Sequence, residues 1–147
     1  IVRYGCSVIG VDISPSMRAL SVMYVDSDRF MACSPWMFDR LVASGVRCDA
    51  ALAIWVLQHC ATPASDVERL RGALRPAGDL FVVNMVARSV PTVEMGFAAD
   101  GLDIRQALRD NFAERGAGSL AADVVAERVA SASYWAHFRK ERDELAS

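Results

Sequence analysis

The side chains best placed to do chemistry in this sequence each follow a short apolar run. Asp12 follows Ser7-Val8-Ile9-Gly10-Val11. A carboxylate has two acceptor oxygens and can take both hydroxyls of a ribose. An Asp before Ser14-Pro15 can equally help to open a helix near its positive end. Cys33, Ser34 and Trp36 follow a second apolar stretch. Small and hydroxyl side chains there can approach an adenine edge with Trp36 beside it; the plainer reading is loop polar groups and a core Trp. A third run ends in Trp55-Val56-Leu57-Gln58-His59. A His at a strand mouth can act as a general base near neutral pH, or sit as a surface imidazole. Asn84 and Arg88 follow a fourth run. Arg88 can grip a substrate carboxylate with two N–H groups, or lie solvated. His137 reads as structural.

Composition narrows the classes. The 147 residues suffice for one domain, and 53% are hydrophobic against 23% charged, with a mean hydropathy of +0.21. That is a globular composition with a sizeable core. The net charge of −2 argues against an electrostatic nucleic-acid binder. The longest apolar run, Ala50 to Leu57, is far short of the ~20 residues a spanning helix needs. The expected setting is cytoplasmic, with neither membrane nor nucleic acid as partner. Cys6, Cys33, Cys48 and Cys60 have no C-x-x-C spacing, so no zinc site is expected. Cys48 and Cys60 could gather with His59 on a metal; buried free thiols in a reducing compartment are the plainer reading. A G-x-S-x-G elbow and a phosphate-binding G-x-x-x-x-G-K-[ST] loop are both missing, and Lys140 is the one Lys.

The elements that would position these residues alternate. Strands are expected at Ser7–Val11, Arg29–Cys33, Asp49–Val56 and Asp79–Met85, the third buried on both faces. Ser14-Pro15 and Thr62-Pro63 are helix starts, with a capping hydroxyl and Pro at the first helical position. Met17, Leu20 and Tyr24 then recur at helical spacing, as do Val67, Leu70 and Leu74. Ser34 to Ser44 reads as a loop with a short helix. Arg75-Pro76-Ala77-Gly78 stops the second long helix. A third helix is expected over Leu102–Phe112 with Ile104, Leu108 and Phe112 on one face. Ser131–Phe138 alternates with period two, which predicts a strand, possible antiparallel pairing included. Arg139–Glu144 reads as a solvated tail. The order is that of an α/β protein, a three-layer Rossmann-like open sheet, mostly parallel, with an antiparallel C-terminal strand. Ligands of such sheets sit outside the carboxyl ends of the strands.

Three segments carry a family likeness. Val8-Ile9-Gly10-Val11-Asp12-Ile13-Ser14-Pro15-Ser16-Met17 resembles the second-strand segment of class I S-adenosylmethionine-dependent methyltransferases. Cys48-Asp49-Ala50-Ala51-Leu52-Ala53-Ile54-Trp55-Val56-Leu57-Gln58-His59 resembles that family's F-D-x-V…V-L-x-H segment. Leu74-Arg75-Pro76-Ala77-Gly78-Asp79-Leu80 resembles its L-K-P-G-G turn, with Ala77 in place of the first Gly. The resemblance implies S-adenosylmethionine as cofactor, with Asp12 on the ribose hydroxyls and Ile13, Cys33, Ser34 and Trp55 bordering the cofactor. It implies methyl transfer to a small-molecule acceptor, with His59 as the candidate catalytic residue. Ser34 stands where the family often carries an acidic residue near the adenine amino group.

The sequence opens on Ile1, and the family's glycine-rich E/D-x-G-x-G loop would lie upstream of it. The expectation is one methyltransferase-like domain over residues 1–147, truncated at its N-terminus by roughly 30 residues or more, the size of a βα unit with its link. Such a fragment would be inactive alone and prone to self-association. Two other readings stand beside it. A nicotinamide-dependent Rossmann oxidoreductase would share the acidic residue after the second strand, but the Tyr-x-x-x-Lys pair of short-chain reductases is missing. A degenerate binding domain would have no need of the glycine loop. Val86 to Asp100, with Arg88, Met95 and Phe97, is the segment expected to face an acceptor.

Overall fold

The computed structural model describes residues 2–88, 90–92, 96–123 and 125–141, with no side-chain description of Phe97. The chain divides into two compact units, Ile1–Val46 and Arg47–Ser147.

The first unit opens with a single 3-10 turn, Val2–Tyr4, and holds two parallel strands, β1 (Val8–Val11) and β2 (Phe30–Cys33), paired from Val8↔Phe30 to Val11↔Cys33. Helix α1 (Pro15–Val25) connects them and α2 (Pro35–Ala43) follows. Both helices start by one device. Ser14 Oγ accepts from the Met17 N–H (3.3 Å) and Ser34 Oγ from the Met37 N–H (3.2 Å), each with Pro at the first helical position. The hydroxyl satisfies one orphan N–H, and Pro has none to satisfy. Where a loop with a short helix was expected after Ser34, the chain is helical almost throughout, because this cap starts it at once. The apolar stripe of α1 is present but not buried; Met17, Leu20 and Tyr24 are all exposed, since two short strands offer little surface to cover. Trp36, for which a core position was the plainer of the two readings, is 64% exposed on α2, with the Arg40 guanidinium 5.2 Å from its ring centre.

The second unit is built on a four-stranded mixed sheet of order β3-β4-β8-β7. Strand β3 (Cys48–Ile54) runs parallel to β4 (Leu74–Met85), while β8 (Ser133–Arg139) is antiparallel to both β4 and β7 (Ala113–Ser119). The antiparallel C-terminal strand is therefore present, with Tyr134, Ala136 and Phe138 turned inward as the period-two pattern requires. A two-stranded ribbon, β5 (Val90–Pro91) with β6 (Phe97–Ala98), precedes α4 (Ile104–Arg109). Helix α3 (Pro63–Ala73) connects β3 to β4, and α5 (Glu127–Ser131) precedes β8. Val67 of α3, Leu80 and Val82 of β4, Leu108 of α4, and Ala136 and Phe138 of β8 form one fully buried cluster. Helix α4 is shorter than its expected span, but Ile104, Leu108 and Phe112 still lie on one buried side.

Strand β3 was expected to be buried on both faces. Ala53 is buried, whereas Leu52 is 50% exposed and Ile54 also faces outward. The outward side of this sheet carries Ala50, Leu52, Phe81 and Trp135, with Asp79 and His137 at its polar rim, around an open depression of about 420 Å³. Phe81 and Trp135 stack there with ring centres 6.1 Å apart.

The tail begins later than its charges suggest. Arg139 closes β8, and Lys140 is buried, its Nζ donating to the Arg71 carbonyl (3.0 Å) and the Leu74 carbonyl (2.9 Å) at the end of α3. A cation at a helix C-terminus meets unpaired carbonyls and the negative end of the helix. Residues 142–147 lie outside the described residues.

Candidate functional site

In the first unit the strand ends carry the predicted cofactor residues. Asp12 follows β1 directly, and its N–H donates to the Cys33 carbonyl (3.2 Å), tying the two strand ends together. Asp12 Oδ1 accepts from the Ser14 N–H (2.7 Å), while Arg18 Nη1 donates to the carbonyls of Asp12 (2.7 Å) and Ile13 (3.0 Å). Both roles considered for Asp12 are thus physically compatible. One oxygen shapes the turn into α1; Oδ2 takes no hydrogen bond from the described residues and lies on an exposed residue. Ile13 beside it is an apolar side chain that is 83% exposed. Cys33 is buried at the end of β2, and burial pushes its thiol up, with Arg18 pulling the other way. Ser34 commits its oxygen to the α2 cap, which leaves its O–H as a donor. The hollow beside Gly10, Asp12, Arg18 and Phe30 is about 180 Å³, below the ~300 Å³ at which ligand pockets begin.

In the second unit β3 ends in Trp55, at φ +59°, with its N–H donating to the Val83 carbonyl (2.8 Å). A bulky aromatic residue in the left-handed region is strained, and such strain clusters at functional sites. A single 3-10 turn, Leu57–His59, follows. Gln58 in that turn is almost fully buried. Its N–H donates to Asn84 Oδ1 (3.2 Å), its Oε1 accepts from the Met85 N–H (2.7 Å), and its Nε2 lies 3.1 Å from His59 Nε2. The His59 residue itself is exposed.

Arg88 is 4% exposed, not solvated. Its Nε donates to both oxygens of Asp100 (2.9 and 2.7 Å) and its Nη1 to the Leu57 carbonyl (3.1 Å). The guanidinium expected to hold a substrate carboxylate already holds a protein one, and it keeps the Asp100 carboxyl below the usual range. Met95 lies outside the described residues, as does the Phe97 side chain. Three buried polar atoms lack hydrogen-bond partners among the described residues: Asn84 Nδ2, Arg88 Nη2 and Tyr134 Oη. They mark the carboxyl end of β4, where Asn84 faces Tyr134 across the ladder. Burial pushes the Tyr134 phenol up. Burial also raises the thiols of Cys48 and Cys60, the latter to about 11 with Asp66 adding to it, so neither is a ready nucleophile at neutral pH. Among the described residues no three His, Cys, Asp or Glu side chains gather as metal ligands.

Gln58 and Asn84 are the polar residues whose structural weight the pattern of the sequence understated. The signal was present: Asn84 interrupts the run Phe81-Val82-Val83-Asn84-Met85, and a polar residue in a buried strand must find partners.

With this geometry in place, the likeness to known proteins is informative. The profile of the methyltransferase domain family matches residues 1–82. The chain belongs to that family. Among curated proteins none matches it by sequence. Solved structures show the same α/β fold at low identity. The N-methyltransferase NodS from Bradyrhizobium japonicum, in complex with S-adenosyl-L-homocysteine, is 13% identical with a TM-score of 0.65, covering 90% of this chain and 65% of that one. The 1,6-didemethyltoxoflavin N1-methyltransferase from Burkholderia thailandensis, with its substrate and S-adenosylhomocysteine bound, is 17% identical with a TM-score of 0.65, at 95% and 64% coverage. The [4+2]-cyclase SpnF is 15% identical with a TM-score of 0.67, at 93% and 67% coverage. This methyltransferase-family chain therefore spans about two thirds of the length of such structures.

Proposed function

We propose that this chain is the greater part of an S-adenosylmethionine-dependent methyltransferase acting on a small-molecule acceptor. The observation that carries the reading is Asp12, a carboxylate at a strand end with one oxygen engaged in its own turn and the other open. Ribose hydroxyls are donors that such an oxygen accepts. The exposed Ile13 offers an apolar contact, and the Ser34 O–H a donor toward a purine edge. The donor set therefore fits an adenosine. The family profile supports methyl transfer, and two of the structural neighbours hold the demethylated cofactor.

S-adenosylmethionine supplies an electrophilic sulfonium methyl. The protein has mainly to hold the acceptor in line with it, which accounts for the sparse set of catalytic side chains. In this reading Trp55 borders the cofactor and His59 engages the acceptor.

Calorimetric titration of S-adenosylmethionine into the whole protein tests the assignment. Asp12→Ala should weaken binding about tenfold or more, since charge-assisted hydrogen bonds contribute roughly 1.5–3 kcal/mol. Asp12→Asn keeps an acceptor for the Ser14 N–H and separates the turn from the ligand. Unchanged affinity in both variants rules out the ribose role, and nicotinamide binding without S-adenosylmethionine binding would favour the oxidoreductase reading.

A further inference from the structure

The ladder between β3 and β4 is continued past its end by a side chain. Paired residues end at Ile54↔Val83, and the Trp55 N–H makes one further bond, to the Val83 carbonyl (2.8 Å). Alternate residues of a parallel strand face the same neighbour, so the next donor of β4 on that side is the Met85 N–H. By then β3 has ended. The Gln58 side chain accepts instead, its Oε1 standing 2.7 Å from the Met85 nitrogen. The Gln58 N–H in turn donates to Asn84 Oδ1 (3.2 Å). Each segment thus gives one side chain to the backbone of the other. Both side chains are almost fully buried, so water competes poorly for them.

Between these attachments lies Trp55 at φ +59°. A bulky residue keeps that conformation only where its surroundings over-determine it. Val83, Asn84 and Met85 are consecutive, and each holds one bond to the segment from Trp55 to Gln58. Arg88 Nη1 steadies the peptide in between through the Leu57 carbonyl. The geometry points to Gln58 and Asn84 as a pair of positioning residues that lock Trp55 in its left-handed conformation at the mouth of β3.

The functional consequence rests on the reading above, in which Trp55 borders the cofactor. With the lock removed, the left-handed form of a residue carrying a Cβ is disfavoured about tenfold. Apparent affinity falls by the fraction of molecules that keep the competent form. Glycine takes positive φ as readily as negative, so at this position it would need no lock.

Two readouts test the lock, one of them without cofactor. Positive φ brings a residue's own amide and Hα protons close together, so Trp55 in the full chain should give a strong intraresidue NOE between them. Gln58→Met and Gln58→Glu both lose the amide N–H that faces His59, but only the first also loses the acceptor for Met85. The Trp55 cross-peak should weaken in Gln58→Met and Asn84→Leu and persist in Gln58→Glu and Asn84→Asp. In calorimetric titration with S-adenosylmethionine, Gln58→Met should bind about tenfold more weakly and Gln58→Glu close to the parent. In a Trp55→Gly background, Gln58→Met should cost no more than about twofold. A bond that serves stability alone would lower the urea midpoint of Gln58→Met and leave the cross-peak and the affinity of the folded protein unmoved. That result overturns the inference, as does a weak Trp55 cross-peak in the unaltered chain or an equal loss of affinity in the Trp55→Gly background. If neither apolar variant folds, the Met85 amide of the unaltered chain decides: exchange as slow as that of the ladder amides is expected, and fast exchange overturns the lock. A strong, Gln58-dependent cross-peak in a chain that does not bind S-adenosylmethionine would end the methyl-transfer reading and leave the lock intact.

Discussion

Ala77 is the residue where sequence and backbone disagree most sharply, and the disagreement has a sign. It lies at φ +62° near the start of β4, where the pairing with β3 shifts register between Leu74 and Asp79, and in that backbone region a Cβ costs roughly 1–2 kcal/mol. Its hydrogen bonds are made by the backbone. The N–H donates to the Lys140 carbonyl (3.0 Å), and the carbonyl accepts from Arg139 Nε (3.1 Å). Ala77→Gly therefore removes strain and no contact of note. Against this stands the extra freedom of glycine in the unfolded chain, about 0.4–1 kcal/mol. The expected net is a stabilisation of about 0.5–1 kcal/mol, or roughly 1–4 °C in Tm for a chain of this length. Urea unfolding followed by circular dichroism, with thermal melts alongside, would measure it. The neighbour provides the control. A Cβ on Gly78 would stand 2.9 Å from the Arg75 carbonyl and 3.1 Å from the Asp49 carbonyl, both backbone atoms that cannot swing away. Gly78→Ala should destabilise by at least about 1 kcal/mol, the low end for overpacking. Adjacent small-residue exchanges should thus move stability in opposite directions. A destabilised Ala77→Gly, or a neutral Gly78→Ala, would refute the backbone geometry from which both signs derive.

Three further perturbations follow from the second unit. Glu114 accepts from Arg105 (2.7 and 3.0 Å) and Arg109 (2.9 and 3.2 Å), and these guanidiniums pull its carboxyl from 4.5 to about 2. A lowered carboxyl pKa stabilises the fold above pH 4.5 and ceases to do so as pH falls toward 2. Glu114→Gln should cost about 1 kcal/mol at pH 7, after allowance for solvent screening, with the difference from the parent shrinking below pH 4.5 in urea titrations. Lys140→Met leaves the Arg71 and Leu74 carbonyls without their donor. It should cost about 1–3 kcal/mol by chemical denaturation, and no loss would mean the ammonium is not seated on α3. Phe138→Ala empties a fully buried position beside Phe112 and should cost about 3–5 kcal/mol, read as a lower urea midpoint.

What the sequence makes legible follows physical simplicity. Ser14-Pro15 is a local signal, so the start of α1 could be read from two residues; Thr62-Pro63 marks the start of α3 equally well, but the expected cap is not made there, since the Thr62 hydroxyl forms no capping hydrogen bond, and the Ser34-Pro35 start of α2 was passed over for a loop with a short helix. The alternation of β8 survives because its inward residues, Tyr134, Ala136 and Phe138, meet one packed core. Strand β7, Ala113–Ser119, escaped notice because Ala-Glu-Arg-Gly-Ala-Gly-Ser has no apolar alternation of its own. Its packing is supplied by the partner strand: a Cβ on Gly118 would stand 2.9 Å from Trp135 Nε1, so glycine is what lets the indole lie against it. The candidate site was legible by position and not by role. Asp12, Cys33, Ser34, Trp55 and His59 do fall at or just beyond strand ends. The engagements of Arg88 with Asp100 and of Gln58 with Met85, by contrast, depend on residues 12 and 27 positions away. Pairings across that distance leave no periodic trace.

The fold by itself does not choose a reaction. An N-methyltransferase at a TM-score of 0.65 and a [4+2]-cyclase at 0.67 resemble this chain equally well, and one scaffold hosts many chemistries. The choice therefore falls on individual side chains. The proposed ribose contact asks for an acceptor, and the Asp12 carboxylate has an oxygen beyond the one engaged by the Ser14 N–H. An imidazole whose Nε2 is occupied by Gln58 does not answer the need for a strong base. Methyl transfer from a sulfonium tolerates that combination, because the electrophile is already activated and alignment is the larger demand. A reaction that began with proton abstraction at this position would require the Gln58 amide to turn away from His59, which would leave the half-buried Met85 N–H without its partner, at roughly 1 kcal/mol. That cost weighs against base catalysis through this nitrogen and leaves alignment as the main demand on the site.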